Sequence, residues 1–154
     1  MTFLADLISN KTLMAACIAW LLAQLIKTVI DLVLYGSFNP ERMVGSGGMP
    51  SSHSSTVCAL ATTSVLQYGV ASFQFSVTFI LAMVVMYDAA GVRRETGKQA
   101  VVLNRLLRDT PLPWKDDILD QNLKELVGHT PLQVSAGAVL GVAVALFMWF
   151  VIYA

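Results

Sequence analysis

Charge is scarce in this chain. Asp, Glu, Lys and Arg make up only 13% of its 154 residues, while 56% are hydrophobic. Ordinary soluble domains carry about a quarter charged residues, so the deficit points to a protein that lives in a bilayer. Ten basic and ten acidic residues cancel to a net charge of zero, which gives no footing for nucleic acid. Cysteine is scarce too. Cys17 and Cys58 both lie in apolar runs and read as small buried hydrophobes, neither a disulfide framework nor a metal site. With only two histidines and no cysteine pair, no metal and no other cofactor is expected. Asp116, Asp117 and Asp120 read as a solvated helix start, not a Mg²⁺ site. The length suits one domain, and internal repeats and low-complexity segments are absent.

What the chain has in abundance is long apolar runs. Four of them, at about 12–35, 54–71, 73–91 and 132–152, have the length and character of membrane helices. Met14-Ala15-Ala16-Cys17 faintly resembles a lipoprotein cleavage site, but the apolar run continues well past it, so a retained helix is expected. Residues 1–10 suit a short interfacial piece. The segment 92–129 is the only long polar stretch, and within 97–127 the alternation of apolar and basic residues predicts amphipathic helices lying in the interface. The expected fold is an all-α membrane protein, a single domain over 1–154. About four transmembrane helices form a bundle, with one or two interfacial amphipathic helices beside it.

Between the first two runs lies Gly45-Ser46-Gly47-Gly48-Met49-Pro50-Ser51-Ser52-His53-Ser54-Ser55-Thr56. Glycines bring backbone N–H groups close to a ligand. Pro50 suits the first turn of a helix, whose free N–H groups and dipole favour an anion. The segment is therefore a candidate phosphate site at a membrane surface. His129 has a similar setting: Thr130 and Pro131 read as N-cap and first helical residue, with Gln133 completing a capping box.

With four spans, the loops after the first and third lie on one side, so both histidines meet one face. Residues 92–129 hold seven of the ten basic residues, and the positive-inside rule then puts that face in the cytoplasm or its organellar equivalent, with both termini opposite. One imidazole can attack phosphorus while the other protonates the leaving oxygen. Lys27, Arg93 and Arg94 are candidate ligands for the phosphoryl oxygens. Two plainer readings stay open. The histidines can be capping or packing residues, and Lys27 can simply neutralise Asp31, four residues on along the same helix face.

Three segments in this order resemble the divergent PAP2 family, membrane relatives of the type 2 phosphatidic acid phosphatases: Gly47-Gly48-Met49-Pro50-Ser51-Ser52-His53-Ser54, Tyr87-Asp88-Ala89-Ala90-Gly91-Val92-Arg93-Arg94 and Gly128-His129-Thr130-Pro131. The resemblance covers nearly the whole chain. It implies that Ser51 and nearby amides of Gly47, Gly48 and Ser52 bind phosphate, that His53 is the general acid, and that His129 is the nucleophile forming a phosphohistidine. Arg93 or Arg94 takes the place of the last motif's arginine, and Lys27 that of the first motif's lysine. The pattern also departs from the wider superfamily. Ser52 replaces a glycine, the first motif's arginine-proline pair is missing with Arg42 a weak substitute, and the arginine and nucleophile lie unusually far apart. Gln133 stands where an aspartate supports the nucleophile. An amide orients an imidazole ring but lends an imidazolium no full negative charge, and Asp88 is the alternative support.

The expected activity is metal-independent hydrolysis of a lipid phosphate monoester, of the phosphatidic acid or phosphatidylglycerol phosphate class, at the cytoplasmic interface. The alternatives are a non-catalytic protein binding anionic headgroups and a transporter subunit. Expected partners are the bilayer and its lipids, not nucleic acid, and a thin bundle makes a homodimer reasonable on burial grounds.

Overall fold

Asn10 opens the first long helix by accepting the Leu13 N–H at 3.1 Å, which satisfies one of the donors a helix start leaves over. The computed structural model describes residues 2–36, 48–109 and 129–154. Over these the chain is all helical: α1 (Phe3–Ser9), α2 (Lys11–Tyr35), α3 (Ser52–Tyr68), α4 (Phe73–Ala90), α5 (Val92–Asp109) and α6 (Pro131–Phe147), the last extended by a π-helical turn at Met148–Ile152. Three stretches are long and apolar enough to cross a membrane: Lys11–Leu34, Phe73–Leu106 and Pro131–Ile152.

The remaining helix, α3, is shorter and more polar because it is the centre of the bundle. It packs against α2, α4 and α6, and most of its residues are buried. Its hydroxyls are satisfied locally: Thr56 Oγ1 donates to the Ser52 carbonyl at 2.7 Å and Thr63 Oγ1 to that of Ala59 at 2.8 Å. Ser55 Oγ donates across to the Ala19 carbonyl of α2 at 3.1 Å. Hydroxyls paired in this way carry little of the penalty that bare polar groups incur at membrane depth.

The core is made of small side chains. Ala15 and Ala19 of α2 meet Ala59 of α3 and Val144, Ala145 and Met148 of the α6 end. Val57 and Ala61 meet Ala82 of α4. Close backbone approach thus stands in for bulky interdigitation, as is common between membrane helices. It goes furthest at Gly137 and Gly141: a Cβ on either would lie 2.3 Å from the Ser51 carbonyl oxygen or 2.2 Å from that of Ser55. At the far end of the bundle Thr12 Oγ1 donates to Gln67 Oε1 at 3.0 Å, and the Lys11 ammonium lies 5.3 Å from the Trp149 ring and 5.0 Å from that of Tyr153.

Several expectations change. Pro50 does not open a helix: it follows a cis Met49–Pro50 bond, and α3 starts at Ser52 with Ser51 as its cap. The second run is helical over Ser52–Tyr68 instead of 54–71. The amphipathic helix starts at Val92, directly after Gly91, instead of at 97, because Arg93, Arg94 and Glu95 are good helix formers, polar as they are. Its continuation beyond Asp109, with Trp114 and the acidic group 116–120, lies outside the described residues. Cys58 is buried as expected, whereas Cys17 is exposed on the outer side of α2.

Candidate functional site

Two backbone hydrogen bonds gather three helix ends. The Ser51 N–H, at the start of α3, donates to the Gln133 carbonyl in the first turn of α6 at 3.0 Å. The His129 N–H, just before α6, donates to the Ala89 carbonyl in the last turn of α4, also at 3.0 Å. Neither pairing is local, and together they fix where the two histidines stand.

His53 lies in the first turn of α3 and is exposed; His129 is buried, with 3% of its surface accessible. Their ring centroids are 6.4 Å apart and the planes are tilted by 59°. The His129 ring is held by Gln133, whose Oε1 lies 3.3 Å from Nδ1. The same oxygen accepts the Thr130 N–H at 3.0 Å, and Thr130 Oγ1 accepts the Gln133 N–H at 3.3 Å. This is the complete capping box expected for α6. Because the amide oxygen is committed to a backbone donor, it faces Nδ1 as an acceptor. Nδ1 therefore carries a proton, and in the neutral ring Nε2 carries the lone pair.

Ser51 and Ser52 are buried at 0% and 3% exposure. Ser51 Oγ accepts from the Ser54 N–H at 3.4 Å and from Ser54 Oγ at 3.1 Å. Its own hydroxyl proton remains able to donate, but its N–H is taken by Gln133, so it is not one of the anion-binding amides that the motif suggests. The N–H groups of Ser52 and His53 lie in the first turn of α3, where an α-helix has no backbone acceptor for them.

Lys27 is 1% exposed, and its Nζ donates to Gln24 Oε1 at 2.8 Å. Gly48, at φ 78°, passes directly over its stem: a Cβ there would lie 3.0 Å from Lys27 Cγ. The strand of chain leading into α3 thus rests on the lysine, roughly two turns before the end of α2. Asp88 is half-buried beside Ala89, whose carbonyl holds His129. Arg94 is exposed in the first turn of α5, at this same end. The backbone of Arg93 precedes it; Gly47 lies outside the described residues. The structure therefore gathers Gly48, Ser51, Ser52, His53, His129 and Gln133 around the start of α3, with Lys27 beneath Gly48 and Asp88 next in sequence to the residue whose carbonyl holds His129.

Sequence reading did not single out Ala89 as the residue that tethers His129, nor Gly137 as the residue on which Ser51 rests. The second had a visible signal, the spacing Gly137-Ala-Val-Leu-Gly141, which marks close helix contact in membranes.

The divergent PAP2 family matches residues 8–144. The chain belongs to that family. It is also similar to the uncharacterized membrane protein YuiD of Bacillus subtilis (strain 168), with 35% identity over 153 residues covering 93% of this chain and 96% of that protein. No solved structure matches significantly. Family membership and the candidate spans together make the chain an integral membrane protein.

Proposed function

We propose that this membrane protein hydrolyses a phosphate monoester of a lipid through a phosphohistidine. The observation that carries the reading is the 6.4 Å separation of the His53 and His129 rings. Reacting atoms approach to about 3–3.5 Å and a proton donor to about 2.6–3.2 Å, so two rings this near can both contact one phosphoryl group seated beside the pair.

His129 Nε2 attacks phosphorus, and His53 protonates the leaving alkoxide. Water then attacks the phosphohistidine, with His53 as base, and releases inorganic phosphate. The first-turn N–H groups of α3, the Ser51 hydroxyl and Lys27 receive the phosphoryl oxygens, and Arg94 or Arg93 screens the approaching headgroup. No metal takes part. Gln133 fixes the ring tautomer as an aspartate would but adds no charge, so phosphorylation of His129 is slower than an aspartate-supported step. The basic residues of 92–129 favour a cytoplasmic placement for this face.

Purified protein in detergent tests this directly. It should release phosphate from phosphatidic acid or phosphatidylglycerol phosphate without added metal, and His129→Ala should abolish release while thermal unfolding stays cooperative. Headgroup binding without turnover would instead identify a non-catalytic lipid-binding protein. Charge movement in sealed vesicles would identify a transporter subunit.

A further inference from the structure

The upper half of α3 is enclosed on all sides but one. From Ser52 to Ala61, the side chains that are not buried are His53, Thr56 and Leu60. Their spacing of three and four puts them on one helix face. Among the described elements, that face is the side of α3 least covered by its neighbours, with Thr56 and Leu60 half-buried. Ser55 and Ala59 point to α6 and α2, and Val57 and Ala61 point to α4. Both α2 and α4 pack on α3 but hardly on each other, so this stripe runs in the gap between them.

The stripe is polar only at His53. The Thr56 hydroxyl is turned back onto the Ser52 carbonyl, which satisfies it within the helix, and Leu60 follows. One turn further down the helix, Thr63 and Ser64 are buried at 1% each, and the stripe ends. It is therefore a partly exposed stripe about 10 Å long from His53 to Leu60, at 1.5 Å of rise per residue, and apolar beyond the histidine.

We infer that this stripe is a track that seats the hydrocarbon chain of the substrate. The inference rests on the phosphatase reading and adds to it which substrates the site selects. A bilayer offers one kind of molecule to a stripe of this chemistry: an amphiphile whose apolar chain lies along Thr56 and Leu60 while its phosphate reaches His53 and His129. Phosphate esters with a hydrocarbon chain near the phosphate gain the burial of that chain, and water-soluble esters do not.

Leu60→Trp fills the track. It should lower the preference for long-chain phosphatidic acid over p-nitrophenyl phosphate by about tenfold, the effect of losing roughly two buried CH₂ groups, and the change should lie in KM. Leu81→Trp, on the exposed outer side of α4, should leave that preference where it was. An unmoved preference in Leu60→Trp would overturn the inference. A second arm does not depend on turnover. Phosphatidic acid carrying a photoreactive diazirine in its acyl chain should label Thr56 and Leu60 in the unaltered protein, and Leu60→Trp should suppress that labelling. Labelling confined to the outer faces would overturn the track even in an active enzyme. Labelling of the track in a protein that hydrolyses neither ester would keep the track and remove the phosphatase.

Discussion

Gly137 of α6 lies so close to Ser51, the cap of α3, that a β-carbon there would stand 2.3 Å from the serine carbonyl oxygen. Beside this contact the Ser51 N–H reaches Gln133, the residue that holds the His129 ring. Together with Gly141, this glycine thus sets how near the helix carrying His53 comes to the helix behind His129. Gly137→Ala should cost about 1–3 kcal/mol of stability through overpacking. Gly141→Ala should cost a similar amount, since its β-carbon would meet the Ser55 carbonyl at 2.2 Å. Thermal unfolding should rank them together. Phosphate release should separate them, because only the first pushes on the residue that positions both histidines.

Gln133→Glu keeps the capping geometry and introduces a charge beside Nδ1 of His129. The carboxylate stabilises the imidazolium, so His129 holds its proton to higher pH. The reactive form is the neutral ring, and the acidic limb of the rate profile should therefore move upward in pH. Above that limb the rate should rise on the order of tenfold or more, since the developing charge is now compensated. Gln133→Ala should do the opposite: it loses the cap, at about 1 kcal/mol, and lets the ring turn. Initial rates across pH, set beside melting temperatures, distinguish the two.

Removal of the proposed acid should depend on the leaving group. His53→Asn should slow hydrolysis of an alkyl phosphate by about 10²–10⁴-fold. With p-nitrophenyl phosphate, whose leaving group departs readily as an anion, the loss should be far smaller. Equal losses on both substrates would assign His53 to binding instead of proton transfer.

Lys27→Met preserves the length of a buried side chain and deletes its charge. If the ammonium serves a phosphoryl group, inhibition by vanadate should weaken by about 10–100-fold, the range for a hydrogen bond to a charged group. Stability should fall by about 1–3 kcal/mol, because the buried Gln24 Oε1 loses its donor. A fall in melting temperature with vanadate affinity intact would make Lys27 a structural partner of Gln24.

What the sequence made visible depended on the range of the interaction. The capping box at Thr130–Gln133 is contained in four residues, and it was legible in full. The first, third and fourth apolar runs are legible because length and composition alone define them, whereas the second is shorter and more polar. Pro50 misled because proline suits both a first helical turn and the turn before a helix, and only the Ser51–Gln133 pairing decides between them. The start of α5 lies earlier than the sequence suggests because residues 93–95 are polar and carry no apolar periodicity, although they are good helix formers. The convergence of His53 and His129 followed from counting crossings. The means by which they are held, through Ala89 and Gly137, join residues far apart in the chain, and no local pattern reports such pairs.

The polarity of α3 also constrains how the protein is made. Ser52–Tyr68 is polar for a helix at membrane depth, yet the glycine seam that covers one side of it belongs to α6, which leaves the ribosome after α3. Insertion therefore cannot be finished helix by helix. Until α6 arrives, the nascent α3 must shelter against α2 and α4, or within the insertion machinery. Damage to α6 should thus appear first as lost abundance through membrane quality control, before any change in chemistry is measurable.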